Sequence, residues 1–232
     1  IPRGYLPKKN SKILFGEIFD LTYEDVKTID IIESLNNDFS APVFKVDDKT
    51  EFKLFDGIQL NAINASFYAD NISFSKWLEF LSTHQDIESS QLRLYNAELP
   101  DNSPARHYLE YYTNEAVIPF IRKLQLLANE IDVYDFQINI NFSGQFVHDV
   151  IKARAIKIAW FNILSSLGKP VKPYHLEVYL PCISSYPDSV ILHTLQIVAA
   201  TMAQADFIVF EHNVESNERR IYRNVGHIAM IE

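Results

Sequence analysis

Short apolar runs rich in β-branched and aromatic residues recur along the 232-residue chain, separated by longer stretches whose apolar positions have helical spacing. The runs predict strands over about 12–20, 42–47, 62–69, 91–97, 136–141, 175–181 and 205–211. The intervening stretches predict helices over about 22–37, 50–56, 73–83, 106–131, 148–167 and 188–204, with a last one at about 217–231. Strand and helix alternate, which implies a parallel sheet, because each right-handed crossover returns the chain to the same end of the sheet. Seven predicted strands fit either an open doubly wound sheet or a (β/α)8 TIM barrel with one strand degenerate or missing. The barrel is the fold expected here. No Gly/Ser linker, charge block or low-complexity segment divides the chain, so residues 1–232 are expected to form a single TIM-barrel domain. Gly168, just before Lys169 and Pro170, is the expected stop of the helix that precedes it.

Composition narrows the function classes. Hydrophobic residues make up 47% of the chain, with 16 Phe, 12 Tyr and 2 Trp, enough for a sizeable core. The 6 glycines (Gly4, Gly16, Gly57, Gly144, Gly168 and Gly226) are scattered. That excludes the dinucleotide G-x-G-x-x-G fingerprint and the G-x-x-x-x-G-K-[ST] phosphate loop, both of which need clustered glycines for backbone N–H groups to approach phosphate. The single Cys182 can form no intrachain disulfide and no Cys-based zinc cluster. A net charge of −9 without a run of Lys/Arg argues against nucleic acid as a partner. The residues at 1–12 lack the apolar core of a secretion signal, and no stretch has the length of a membrane span, so a cytoplasmic location is expected.

In parallel α/β folds chemistry sits at the carboxyl ends of strands. The predicted ends place there Asp20, Asp47 with Asp48, Asp70 with Asn71, Asn96, Asn141, Pro181 with Cys182, and Glu211 with His212 and Asn213. Two carboxylates from different strands, such as Asp20 and Glu211, would serve as acid and base in a glycosidase-like site if they faced each other. Such residues more often cap the following helices or solvate the loops. Seven histidines (84, 107, 148, 175, 193, 212 and 227) include no H-x-x-x-H or H-x-H pair, so a metal site would have to assemble from distant positions. Cys182 is a nucleophile candidate or, as free cysteines more often are, a small buried hydrophobe.

In FVHDVIKARAIKIAW (146 to 160), Val147, Ile151, Ala155 and Ile158 form one helical stripe, expected to pack on the sheet. Lys152, Arg154 and Lys157 lie off it and are expected on a solvated face, while Asp149 in the first turn suits the helix dipole.

The same helix resembles the F-x-x-E-x-x-K-x-R-A-x-R-x-x-W pattern of the substrate-binding barrel of methylmalonyl-CoA mutases. It does so through Phe146, Asp149 in place of Glu, Lys152, Arg154, Ala155, Lys157 in place of Arg, and Trp160. A second block, LFDGIQLNAINASFY (54 to 68), is similar to the family's L-F-D-G-I-P-L segment through Leu54, Phe55, Asp56, Gly57, Ile58 and Leu60. A third, RRIYRNVGHIAMIE (219 to 232), resembles R-I-A-R-N-T-Q-x-I-L-Q-E-E through Arg220, Ile221, Arg223, Asn224, Ile228 and Glu232. The three blocks keep the family's order.

Departures from the family pattern point to its small, non-catalytic subunit. The catalytic chain carries H-x-Q-T-[SA]-G at the end of its seventh strand, with His and Gln facing the substrate. Here YLPCIS puts Tyr179 for the His and Pro181 for the Gln, and neither offers the same hydrogen bonding. The family's Y-H-x-Q-E-A-G corresponds to Tyr95-Asn96, with no Q-E-A-G following. The cobalamin-binding D-x-H-x-x-G motif is absent, so no cobalamin-binding domain and no cofactor is expected in this chain. The resemblance implies a heterodimer in which a large subunit binds adenosylcobalamin and interconverts succinyl-CoA and methylmalonyl-CoA, while this chain, with catalytic positions degenerate at Tyr179, Pro181 and Asn96, stabilises it. Bulky residues such as Phe67, Tyr68 and Phe207 allow side chains to fill the barrel tunnel. The alternatives are a self-sufficient hydrolase barrel acting through Asp20, Glu211 or His212, and CoA binding without catalysis through Lys152 or Arg154.

Overall fold

The apolar runs build β1 (Leu14–Asp20), β2 (Val43–Asp47), β3 (Ser66–Asp70), β4 (Arg93–Tyr95), β5 (His107–Tyr111), β6 (Phe136–Asn141), β7 (His175–Leu180) and β8 (Phe207–Phe210). In the computed structural model they lie parallel in one eight-stranded sheet, ordered β4-β3-β2-β1-β8-β7-β6-β5. The structure describes residues 13–22, 26–70, 93–95, 107–111, 117–130, 136–170, 174–181, 188–211, 220–222, 224–225 and 228. Among these, α1 (Thr28–Asn36), α2 (Val117–Glu130), α3 (Phe146–Ser166) and α4 (Asp188–Met202) cross between strands.

The expected closed (β/α)8 TIM barrel is corrected to an open, curled sheet. Closure requires every strand to be paired on both sides. Here β4 pairs only with β3, β5 pairs only with β6, and among the described residues no ladder joins β4 to β5. The β4 edge is short, contributing three ladder positions (Arg93, Leu94 and Tyr95) against five for β5, so that edge presents little backbone for closing. Nor is any strand missing: β5 lies inside the stretch 106–131 expected to be wholly helical, and only Val117–Glu130 of that stretch is helix. HYLEY is rich in strand-favouring aromatic residues but does not alternate, Tyr108 and Leu109 being adjacent, so it merges with the helical spacing after it. The expected helix at 50–56 is a single 3-10 turn, Phe52–Phe55, and a second turn, Leu60–Ala62, follows beyond it. The helix expected at 73–83 lies outside the described residues.

Residues in register across parallel strands share a face. One face carries Phe15, Phe19, Phe44, Phe67, Ile138, Ile140, Leu176, Val178, Ile208 and Phe210, all buried under the helices. These residues form two cores. One packs β6, β7 and β8 under α2, α3 and α4 around Ile138, Val178, Ile208 and Trp160; the other packs β2 and β3 against α1 around Phe44, Phe55, Phe67 and Ile31. A doubly wound sheet would place helices on both faces. Here, among the described residues, the opposite, inner face carries a small apolar cluster of Ile18, Val43 and Val209, with Tyr68 and Tyr179 against it.

Three helix ends share one hydrogen-bond pattern. After α3, Gly168 at φ 66° donates to the Ser165 carbonyl (3.2 Å) and Lys169 to that of Leu164 (2.9 Å), so the expected stop is in place. After α1 and α4 the same left-handed position is held by Asp38 (φ 65°) and Gln204 (φ 58°). Each is followed by a buried apolar residue, Phe39 and Ala205.

The expected stripe of α3 is reversed. Val147, Ile151 and Ile158 are 65%, 60% and 51% exposed, whereas Val150, Ala153, Ile156, Trp160, Ile163 and Leu164 face the core. Both sides of this helix are apolar, so spacing alone cannot say which side meets the sheet. No helix among the described residues is long and apolar enough to cross a membrane.

Candidate functional site

Alternation in FQININ and HLEVYL sends Gln137 and Asn139 of β6 and Glu177 and Tyr179 of β7 to the inner face, while the intervening Ile138, Leu176 and Val178 enter the helix-covered core. There the polar groups bond to one another. Gln137 Nε2 donates to Asn139 Oδ1 (2.9 Å), and Asn139 Nδ2 donates both to Glu177 Oε1 (3.0 Å) and to the Tyr68 hydroxyl (3.0 Å). The Tyr68 hydroxyl is also hydrogen-bonded to that of Tyr179. Gln137, Asn139 and Glu177 are buried, and the two tyrosines are partly so. A carboxylate buried to this depth requires donors to hold it. The Asn139 amide is one of them, and it connects Glu177 to the tyrosine pair.

The position expected to replace the family's substrate-facing His is therefore engaged within the protein: Tyr179 meets Tyr68 across the inner face. Pro181, the position expected to replace the family's Gln, has its backbone carbonyl 3.3 Å from His193 Nε2. Asn96 lies outside the described residues, as do Cys182, His212, Asn213 and Asn71. Of the bulky residues expected to fill the interior, Tyr68 does so, whereas Phe67 is buried in the core beneath α1. Phe207 lies on the inner face in register with Glu177. Sequence reasoning passed over Gln137, Asn139 and Glu177 as site residues. Their i, i+2 polar spacing inside apolar strands was the available signal.

The strand-end carboxylates are engaged locally. Asp20 accepts from the Thr22 N–H (3.2 Å) and hydroxyl (2.6 Å), and one of its oxygens lies 3.9 Å from Lys45 Nζ. Asp47 accepts from the N–H groups of Lys49 (2.9 Å) and Thr50 (3.0 Å) and from the Thr50 hydroxyl (3.1 Å), an Asx-type turn. Glu211 is exposed, and among the described residues no hydrogen bond or ion pair joins it to Asp20. Nor does any group of three His, Cys, Asp or Glu side chains among the described residues stand ready to hold a metal ion.

The basic residues of α3 do specific structural work. Lys157 Nζ donates to the carbonyls of Ala203 (2.7 Å) and Gln204 (3.2 Å), and Arg154 Nη2 to that of Met202 (3.5 Å). These carbonyls close the C-terminus of α4, where cations suit the helix dipole. Lys157, expected on a solvated face, is instead partly buried in this role. Lys152 is held below the usual lysine value by burial, and the Asp149 carboxylate pulls the other way. Asp149 is fully buried and ties down the turn after β6, accepting from Ser143 N–H (3.2 Å), Ser143 Oγ (3.1 Å) and Gly144 N–H (3.0 Å).

On the outer surface α3 and α4 expose parallel apolar rows. Val147, Ile151 and Ile158 are joined by Ile191, Leu195 and Met202, which are 63%, 44% and 45% exposed. Spacings of four and seven residues within each row place them on one side of each helix. No family model and no curated protein matches this chain.

Proposed function

We propose that this chain is the small, non-catalytic subunit of a cytoplasmic, adenosylcobalamin-dependent methylmalonyl-CoA mutase, bound to a catalytic large subunit as a heterodimer. The observation that carries this reading is the Tyr68–Tyr179 hydrogen bond. At the level of the sheet where the resemblance implies a substrate-facing His in the catalytic chain, this chain has a phenol bonded to a second phenol from the far side of the concavity. Asn139 and Glu177 complete a network in which these groups serve as one another's partners. Groups so engaged are occupied before any thioester arrives.

A supporting function needs a surface rather than a cavity. Exposed Ile, Leu, Val and Met rows on two adjacent helices are the kind of face that permanent interfaces bury. On this reading the cofactor and the radical chemistry belong to the large subunit. Co-expression with the large subunit from the same source should yield a 1:1 complex, with mutase activity requiring the large chain and none from this chain alone. Recovery of this chain as a free species at micromolar concentrations of both would overturn the reading.

A further inference from the structure

Away from the inner face, among the described residues, His193 on α4 is a titratable side chain buried between aromatic rings. It is 3% exposed. Its ring stands at 84° to Phe210 of β8 and at 81° to Tyr222, with centroids 5.6 and 4.9 Å away. Tyr222 is fully buried and stacks on Phe210 at 5.1 Å and 12°. The imidazole is thus wedged against a stacked pair, and this arrangement fastens the helical segment at 220–222 to α4 and to the ends of β7 and β8.

The Pro181 carbonyl can only accept, so neutral His193 carries its proton on Nε2 and leaves Nδ1 bare. Nδ1 is buried with no hydrogen-bond partner among the described residues. A bare ring nitrogen among aromatic rings is tolerated. A second N–H there would be an unsatisfied donor on a buried cation. The elements around it offer little compensation: β7 presents the Pro181 carbonyl, β8 the Phe210 ring and the 220–222 segment the Tyr222 ring. Asp188 on α4, Glu211 after β8 and Arg220 before Tyr222 are exposed, and no ion pair to His193 is formed among the described residues.

We propose that His193 is a proton-operated latch: neutral, it holds the Tyr222 segment against the ends of β7 and β8; protonated, it releases that segment while the sheet stays folded. Burial holds its pKa below the ordinary histidine value, with the hydrogen bond to the Pro181 carbonyl pulling the other way. A folded-state pKa that is depressed means attachment is fully present above the ordinary value of about 6.5 and is lost as pH falls from there through the depressed value.

Hydrogen exchange read by mass spectrometry at pH 7.5 and 5.5, corrected for intrinsic exchange rates, tests the latch. Peptides covering 220–225 should lose protection by up to roughly tenfold, the limit set by pH 5.5 lying about one unit below the ordinary histidine value, while β6, β7 and β8 keep theirs. His193→Phe, which keeps an aromatic ring and cannot charge, should hold the segment equally at both pH values. His193→Gln, a neutral donor able to reach the Pro181 carbonyl, should do the same and replaces the Phe variant if that one does not fold. Equal protection of the segment at both pH values in the natural chain, the same acid-induced loss in the folded variant, or a loss spread evenly over β6 to β8 would each overturn the proposal.

Discussion

The hydroxyls of Tyr68 on β3 and Tyr179 on β7 are hydrogen-bonded to each other although β2, β1 and β8 lie between their strands. In a flat sheet, four strand spacings would hold the two strands roughly 19 Å apart. Their contact therefore measures how far the sheet curls, and it spans a concavity whose edge strands are not joined to each other among the described residues. Tyr68→Phe should lower stability by about 1–2 kcal/mol, since it removes the bonds to Tyr179 and Asn139 together. Combined with Tyr179→Phe the losses should be less than additive, with a coupling of about 1 kcal/mol. Urea denaturation of the two single variants and the double variant reads this directly, and additive losses would show that the two hydroxyls do not depend on each other.

Gly16 is irreplaceable for a different reason. A Cβ built there would lie 1.9 Å from the Ala41 carbonyl oxygen and 2.8 Å from its carbon, where the chain entering β2 crosses close to β1. Backbone cannot rotate aside as a side chain can. Gly16→Ala should therefore cost about 2–4 kcal/mol. Gly168→Ala, with nothing within 4 Å of the added Cβ but a φ of 66°, should cost only about 1 kcal/mol. Thermal denaturation of the pair ranks them, and equal losses would contradict the contact argument.

Lys157 joins α3 to the end of α4 through the Ala203 and Gln204 carbonyls. Lys157→Met keeps the aliphatic stem and removes the donor, so it should cost about 1–2 kcal/mol. Because the Lys157 ammonium is partly buried, the loss should persist at 0.5 M salt, where exposed ion pairs fade. A loss abolished by salt would mean that the interaction is ordinary surface electrostatics.

The outer rows of α3 and α4 allow the place of the proposed interface to be tested without touching the core. Ile151 and Ile191 are 60% and 63% exposed, so Ile151→Asp with Ile191→Asp should change the stability of the isolated chain by about 1 kcal/mol or less. The same pair should weaken capture by a large subunit at least tenfold, as charges do in an apolar interface. Undiminished capture would move the interface elsewhere while leaving the subunit reading intact.

How much the sequence disclosed varies with the kind of question. Strands such as HLEVYL announce themselves because burial on one face and polarity on the other impose a period of two. The orientation of α3 was illegible: Val147, Ile151 and Ile158 are as apolar as Val150, Ile156 and Ile163, and only packing distinguishes outside from inside. Asp149 looked like a dipole-favoured charge in a first turn, yet it is a buried acceptor for the Ser143–Gly144 turn, a role that depends on where the loop before it folds. Closure of the sheet depends on whether two edge strands pair, and no property of either strand alone decides that. The Tyr68–Tyr179 contact, between residues 111 positions apart, follows from curl and register together.

The position of β1 between β2 and β8 has a consequence for the order of assembly. Its β2 side can be satisfied soon after synthesis, whereas its other edge waits for Phe207–Phe210 to pair with Leu14–Glu17. At a translation rate of about 5–20 residues per second, that edge stays open for roughly 10–40 s. During that interval a strand destined for the middle of the sheet behaves as an exposed edge, with Phe15 and Phe19 beside it, and is open to pairing with another nascent chain. Ribosome-bound chains stalled before Phe207 should thus be the species that chaperones engage, and completion of β8 should end that engagement.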